Sequence, residues 1–283
     1  MARGGRGSPD CAQPMGETMI IIAERINSSR KSIAQAIEAQ DREFIQKEAR
    51  NQAEAGATYI DVNAGSFVGL EIGYLKWLVE VVQEVVDLPL CLDSPDPQAI
   101  KEALPLCRQK PLINSITLEQ DRLEGLLPLV VEHGLPVIAL CQSEAMTADT
   151  REDKVELASQ LVAKADAAGL PRENLFIDPL VYPVSTDSNS ALASIQAIGD
   201  IMTRFPGVHT TCGLTNVSYG MPQRKLINRA FLAAALVHGL DSAIIDPTDI
   251  QLYSLLKATL LVLGRDDFGM EYIGAFRAGR LTA

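Results

Sequence analysis

No CxxC pair occurs in this chain. Its five cysteines (Cys11, Cys91, Cys107, Cys141, Cys212) stand singly and in an odd total, which argues against a disulfide framework or a zinc ribbon and fits a reducing cytoplasm. Histidine is equally scarce. His133 and His238 each precede a glycine at a helix end, where imidazole pairs with free carbonyls, and His209 opens a strand. A histidine-based metal or acid/base centre is therefore not expected, nor any bound metal of the chain's own. Basic residues are in deficit, 25 against 36 acidic for a net charge of −11. Nucleic acid and anionic membranes call for clustered Lys and Arg, so neither is the expected partner. No apolar run approaches the ~20 residues that span a bilayer, and no hydrophobic segment follows the N-terminal arginines, so secretion is not expected. Aromatics make up only 5% against a hydrophobic content of 47%, which implies an aliphatic core of the kind formed by parallel strands buried on both faces.

What is present is a long alternation of apolar strand-length runs and helical stretches. Met1 to Thr18 is polar, rich in Gly and Pro and without periodicity, and reads as a disordered extension; the folded domain is expected over residues 19–283. Eight strands are predicted, at Met19–Ala23, Tyr59–Val62, Leu90–Leu92, Leu112–Asn114, Val137–Leu140, Leu175–Ile177, His209–Leu214 and Ser242–Ile245, with a helix after each. The 283 residues and eight β/α units predict a single-domain (β/α)8 TIM barrel.

Four of the apolar runs stop abruptly at a carboxylate or carboxamide: Asp93, Asn114, Asp178 and Asn216. In a parallel β/α sheet the carboxyl ends of the strands open on one face, where ligands bind. Strand one adds Glu24, Arg25 and Asn27 to that mouth, and strand two adds Asp61 and Asn63. A carboxylate accepts paired N–H bonds and a carboxamide both donates and accepts, so the set suits a neutral, nitrogen-rich ring such as a pterin or purine. Each residue has a plainer explanation. Asp93 and Asn114 are good helix caps, as are Asp246 and Asp249; Glu24 and Arg25 read equally well as an ion pair at the mouth; Asn216 suits any turn. Cys212, close to the mouth, reads as a buried, inert thiol.

Taken in order, Glu24-Arg25-Ile26-Asn27, Asp61-Val62-Asn63-Ala64-Gly65, Leu92-Asp93-Ser94, Ile113-Asn114-Ser115, Ile177-Asp178-Pro179-Leu180, Gly213-Leu214-Thr215-Asn216 and Leu226-Ile227-Asn228-Arg229 resemble the pterin-binding methyltransferases, and more narrowly the methyltetrahydrofolate:corrinoid protein methyltransferases. The resemblance runs from Met19 to about Leu263. It implies that Asp93, Asn114 and Asp178 bind the pterin, that Asn216 approaches the methyl-bearing N5, and that Arg224, Gly213, Thr215, Asp61, Glu24 and Asn27 belong to the same site. The family's usual Gly-Leu-Ser-Asn reads Gly-Leu-Thr-Asn here, which keeps the hydroxyl. The resemblance further implies methyltetrahydrofolate or tetrahydrofolate as substrate, cobalamin carried by a partner corrinoid protein, and a homodimer formed through barrel helices. A dihydropteroate synthase shares the pocket, but it carries a Gly-rich, lysine-containing segment after the strand-six Asp-Pro and an Arg-x-His near its C-terminus. This chain has Leu180 to Asn189 (LVYPVSTDSN) and a histidine-free end in those places. A non-catalytic folate-binding barrel is the remaining alternative.

Overall fold

The computed structural model describes residues 19–282, so the predicted extension over residues 1–18 lies outside the described residues. Its first half runs β1 (Ile20–Asn27), α1 (Lys31–Glu38), α2 (Arg42–Glu54), β2 (Tyr59–Asn63), α3 (Glu71–Gln83), β3 (Leu90–Asp93), α4 (Pro97–Ala103), β4 (Leu112–Ile116) and α5 (Gln120–His133). The second half runs β5 (Val137–Leu140), α6 (Arg151–Ala168), β6 (Leu175–Asp178), α7 (Ser190–Arg204), β7 (His209–Thr210), α8 (Arg224–Val237), β8 (Ser242–Ile245), α9 (Ile250–Val262) and α10 (Met270–Arg277). The strands form one eight-stranded parallel sheet in the order β7-β6-β5-β4-β3-β2-β1-β8. A parallel bridge from Gly213 to Ile244 joins the chain just beyond β7 to β8, and the Ser242 hydroxyl donates to Thr211 Oγ1 at 3.1 Å, which closes the barrel. No helix among the described residues is long and apolar enough to cross a membrane.

Strand seven is the main departure from the expected elements. It stops at Thr210, and the predicted strand tail from Leu214 is a 3-10 turn, Leu214–Ser218. Helices α1 and α10 were not anticipated. The short α1 follows β1 after only a brief turn, and its three buried residues (Ile33, Ala36, Ile37) reveal one apolar stripe only in hindsight. Glycines close α5 and α6: Gly134, expected after His133, and Gly169 have φ of 58° and 79°, a region most side chains avoid.

Two apolar layers build the core. The larger lies between sheet and helices, and the smaller plugs the barrel with Ile22, Cys91, Leu112, Ile138 and Phe176, joined by Tyr59 and Ile244. Successive strand residues alternate in face, so the residue two positions beyond each plug residue also points inward. Those residues are Glu24 above Ile22, Asp61 above Tyr59, Asp93 above Cys91, Asn114 above Leu112, Asp178 above Phe176 and Asp246 above Ile244, with the apolar Leu140 above Ile138 as the exception. The polar layer is thus the strand period carried one step past the plug. His209 lies at the opposite end, stacked on Phe176 with ring centroids 4.6 Å apart and hydrogen-bonded to Asp241 at 2.8 Å.

Candidate active site

Above the polar layer opens a cleft of about 620 Å³. Nine of the ten predicted site residues line it: Glu24, Asn27, Asp61, Asp93 and Asn114 from strand ends, and Gly213, Thr215, Asn216 and Arg224 from the stretch after β7. Asp178 is not among the lining residues. Its Oδ1 accepts the Leu180 N–H at 2.8 Å, its carboxylate also accepts from the Gly213 N–H, and burial raises its pKa to about 6.

Neither Asp93 nor Asn114 is a cap. The N-cap of α4 is Asp96, which accepts from the Gln98 N–H at 2.8 Å, and α5 begins after Glu119. Both predicted anchors are the last inward residues of their strands and sit side by side in register. Asp93 Oδ2 accepts from Asn63 Nδ2 at 2.9 Å. Asn63 Oδ1 takes the Ser28 hydroxyl and the Gly65 N–H, both at 3.0 Å, so the Asn63 amide can present only its NH2 to Asp93. Burial lifts the Asp93 pKa to about 6, opposed by that bond and by the Arg122 guanidinium. Asp61 is 1% exposed and its pKa is pushed well above the usual carboxylate range, first by burial and then by Asp93, while the Cys91 thiol and the Asn114 amide bond to it. Its Oδ1 has no hydrogen-bond partner among the described residues. Asp249 does cap α9, accepting from the Gln251 and Leu252 N–H groups at 3.2 Å, and it also pairs with Lys225 and Arg229.

Glu24 and Arg25 do not pair with each other. Strand alternation separates them: Glu24 faces the cleft and accepts from Arg30 at 3.0 Å, while Arg25 faces α2, pairing with Glu48 at 2.6 Å and Asp246 at 3.0 Å. Burial raises the Glu24 pKa, with Arg30 opposing. Cys212 is buried and its thiol is pushed up by desolvation, as an inert core thiol should be.

Asn216 is set apart from these anchors. It is exposed, on the 3-10 turn over the cleft, and the turn is fastened by Arg224, which donates to the Thr215 carbonyl at 2.7 Å and to the Ser218 hydroxyl at 3.1 Å. Gly213 gives the carboxamide its space, since a Cβ there would stand 3.0 Å from Asn216 Nδ2.

Several contributors escaped the sequence reading. Arg122, on α5, donates to the carbonyls of Ser94, Pro95 and Ser115, directly beyond Asp93 and Asn114. Arg30 lines the cleft, as does Asn228, which belongs to the Leu226–Arg229 motif of the resemblance but was given no place in the site, and its buried Oδ1 has no hydrogen-bond partner among the described residues. Lys154 was legible in principle, because it falls on the buried stripe of α6 with Ala158 and Leu161. No group of three or more His, Cys, Asp or Glu side chains among the described residues is arranged to hold a metal ion.

A barrel whose inward strand ends carry four acids and an amide over an apolar plug suits a polar heterocycle, and the chain belongs to the pterin-binding enzyme family, which matches residues 23–246. Within that family it falls among the methyltransferases. It is 40% identical over 265 residues to the methylcorrinoid:tetrahydrofolate methyltransferase of Eubacterium limosum, covering 93% of this chain and 98% of that protein. It is 30% identical to the methionine synthase of Mycobacterium tuberculosis, matching 82% of this chain but only 21% of that longer protein. Among solved structures, the dihydropteroate synthase of Thermus thermophilus shares the fold, with a TM-score of 0.63 at 20% identity, covering 87% of this chain and 93% of that one.

Proposed function

We propose that this chain moves a methyl group between N5 of methyltetrahydrofolate and the cobalt of a corrinoid carried by a separate protein. The observation that carries this reading is the division of the cleft into a recessed ring of anchors (Asp61 buried, Asp93 and Asn114 half-buried) and one exposed carboxamide, Asn216, on a braced turn. A methyl on a tertiary amine transfers poorly until the nitrogen is protonated, because only then does a neutral amine depart. The site therefore needs to hold the pterin, favour protonated N5 and leave the methyl reachable from outside. The anchors accept N–H groups of the pterin edge. Asn216 stabilises protonated N5, and an exposed position suits a group that meets the methyl on its open side. Asp178 supports the pterin and, through water, the proton's delivery, fixed for that task by its bonds to Leu180 and Gly213. Cobalamin is the partner's, and its Co(I) form supplies the methyl-accepting nucleophile.

Mixing the protein with methylcobalamin or a corrinoid protein and tetrahydrofolate, and following cobalamin absorbance in both directions, tests the reading. Turnover is expected, and folate binding without any absorbance change would leave a non-catalytic folate barrel. Supplied with hydroxymethylpterin pyrophosphate and p-aminobenzoate, the protein is expected to release no pyrophosphate; release would favour a dihydropteroate synthase. Gly213→Ala is expected to displace the Asn216 amide by a few tenths of an ångström and to slow methyl transfer roughly tenfold with little change in stability, because Gly213 has an ordinary φ of −70°. An unchanged rate in that variant would remove the role given to the Asn216 position.

The homodimer also belongs to this proposal. Val262, Phe268 and Phe276, on and between α9 and α10, are 84%, 97% and 69% exposed, the kind of apolar surface a second subunit covers. Light scattering would report the mass directly.

A further inference from the structure

Lys154 is the largest fully buried side chain among the described residues, 0% exposed, and its role is not explained by packing. It stands in the first turn of α6, where the helix dipole already disfavours a cation, and burial adds a desolvation cost that lowers its pKa to about 8. Its hydrogen-bond partners are carbonyls: Nζ donates to the Pro179 oxygen at 2.9 Å and the Leu180 oxygen at 2.7 Å. The ammonium also lies 5.0 Å from the centroid of the Tyr182 ring. Leu180 is a non-glycine residue at φ 59°, a sparsely populated conformation that persists only where its surroundings impose it. That conformation accompanies the delivery of its N–H to Asp178 Oδ1 at 2.8 Å.

We infer that Lys154 is a positioning residue for Asp178: its ammonium clamps the two carbonyls that follow Asp178 and so fixes the turn whose N–H binds the carboxylate. The same cation faces Asp178 electrostatically and favours its ionised form. The groups facing Lys154 are Asp178 and the Cys141 thiol at strand ends, Asp149 and Asp153 around the start of α6, and the Tyr182 ring. Those facing Asp178 are Lys154 and the thiols of Cys141 and Cys212. The thiols are held neutral by burial, so Lys154 is the charge that governs this corner. The part of the inference that concerns folate rests on the methyl-transfer reading above.

Carbon-13 carboxyl NMR on the whole chain tests the first link without any ligand. In Lys154→Met the Asp178 midpoint is expected to rise by about one pH unit. The dissociation constant of methyltetrahydrofolate at pH 7 should increase about tenfold, and should change less than twofold when the same substitution is made in an Asp178→Asn background. An unmoved Asp178 midpoint, or a loss of affinity that simply adds to that of Asp178→Asn, overturns the inference. Absence of methyltetrahydrofolate binding by the unmodified protein counts against the functional reading, while the carboxyl titration still decides the role of Lys154. If Lys154→Met does not fold, the unmodified protein answers: the Leu180 amide and Asp178 carboxyl resonances should shift together as Lys154 loses its proton near pH 8, and independent or absent shifts overturn the inference.

Discussion

Asn216→Ala is expected to lower methyl transfer by about 10²–10³ in kcat while leaving the affinity for methyltetrahydrofolate within about threefold, the signature of a contact made chiefly in the transition state. The reason lies in which state of N5 the carboxamide meets. A neutral tertiary amine gains little from Asn216, whereas protonated N5 can donate to its oxygen, so the contact strengthens as the proton arrives. A carboxamide does not titrate near neutrality, and Asn216 cannot itself be the acid. The pH–rate profile of the variant should therefore run parallel to that of the unmodified enzyme, lower at every pH, with unchanged inflections. Near-normal transfer at every pH would sink the role proposed for Asn216. The anchors should respond in the opposite sense: Asp93→Ala is expected to weaken folate binding first, by about 1–3 kcal/mol for a lost charged hydrogen bond.

Asp93→Asn is expected to make the ligand-free protein more stable at pH 7.5 by roughly 1–2 kcal/mol while binding folate less well. Burial places the Asp93 pKa at about 6, above the ordinary aspartate value of 3.8. A carboxyl raised in this way holds its proton more firmly when folded than when unfolded. Its cost to stability is absent below pH 4, grows between pH 4 and 6, and is complete above, reaching about 3 kcal/mol for a shift of this size. Asp178, also raised to about 6, slopes the same way. Chemical denaturation from pH 4 to 8 should show the unmodified protein losing stability relative to Asp93→Asn as pH rises through that window. Folate binding should run oppositely, strengthening as the carboxylates ionise. Equal stability of the two proteins at both ends of the range would mean that Asp93 carries no burial penalty, and its assignment as a preorganised anchor would fail with it.

Legibility in the sequence followed the strength of the local signal. Val137–Leu140 and Ser242–Ile245 were predicted to the residue, because each is bounded by clear punctuation, such as Gly134 and Pro136 before the first and Pro247 after the second. Strand seven was read too long. The apolar pattern of Cys212 and Leu214 suits a strand or a buried 3-10 turn equally, and only closure of the barrel onto Ile244 chooses between them. Seven of the nine cleft residues were legible because each follows a plug residue by two positions or sits on the Gly213 turn, while Asn27 ends β1 and Arg224 opens α8. The cations behind them were not. Arg122 and Lys154 act on backbone carbonyls of strand ends that lie far from them in sequence for Lys154 and across two strands for Arg122.

By itself the sequence determined the eight-fold β/α order, the aliphatic core and the set of acids and amides at the strand ends, because alternation and punctuation are local properties of a chain. Only the tertiary structure decided which neighbours those groups have. It parted Glu24 from Arg25 across a strand, stacked the anchors over one plug, withdrew Asp178 beneath the Gly213 and Leu180 N–H groups and left Asn216 exposed. Electrostatics and hydrogen bonding act through space, and distance in space is set by the closed barrel.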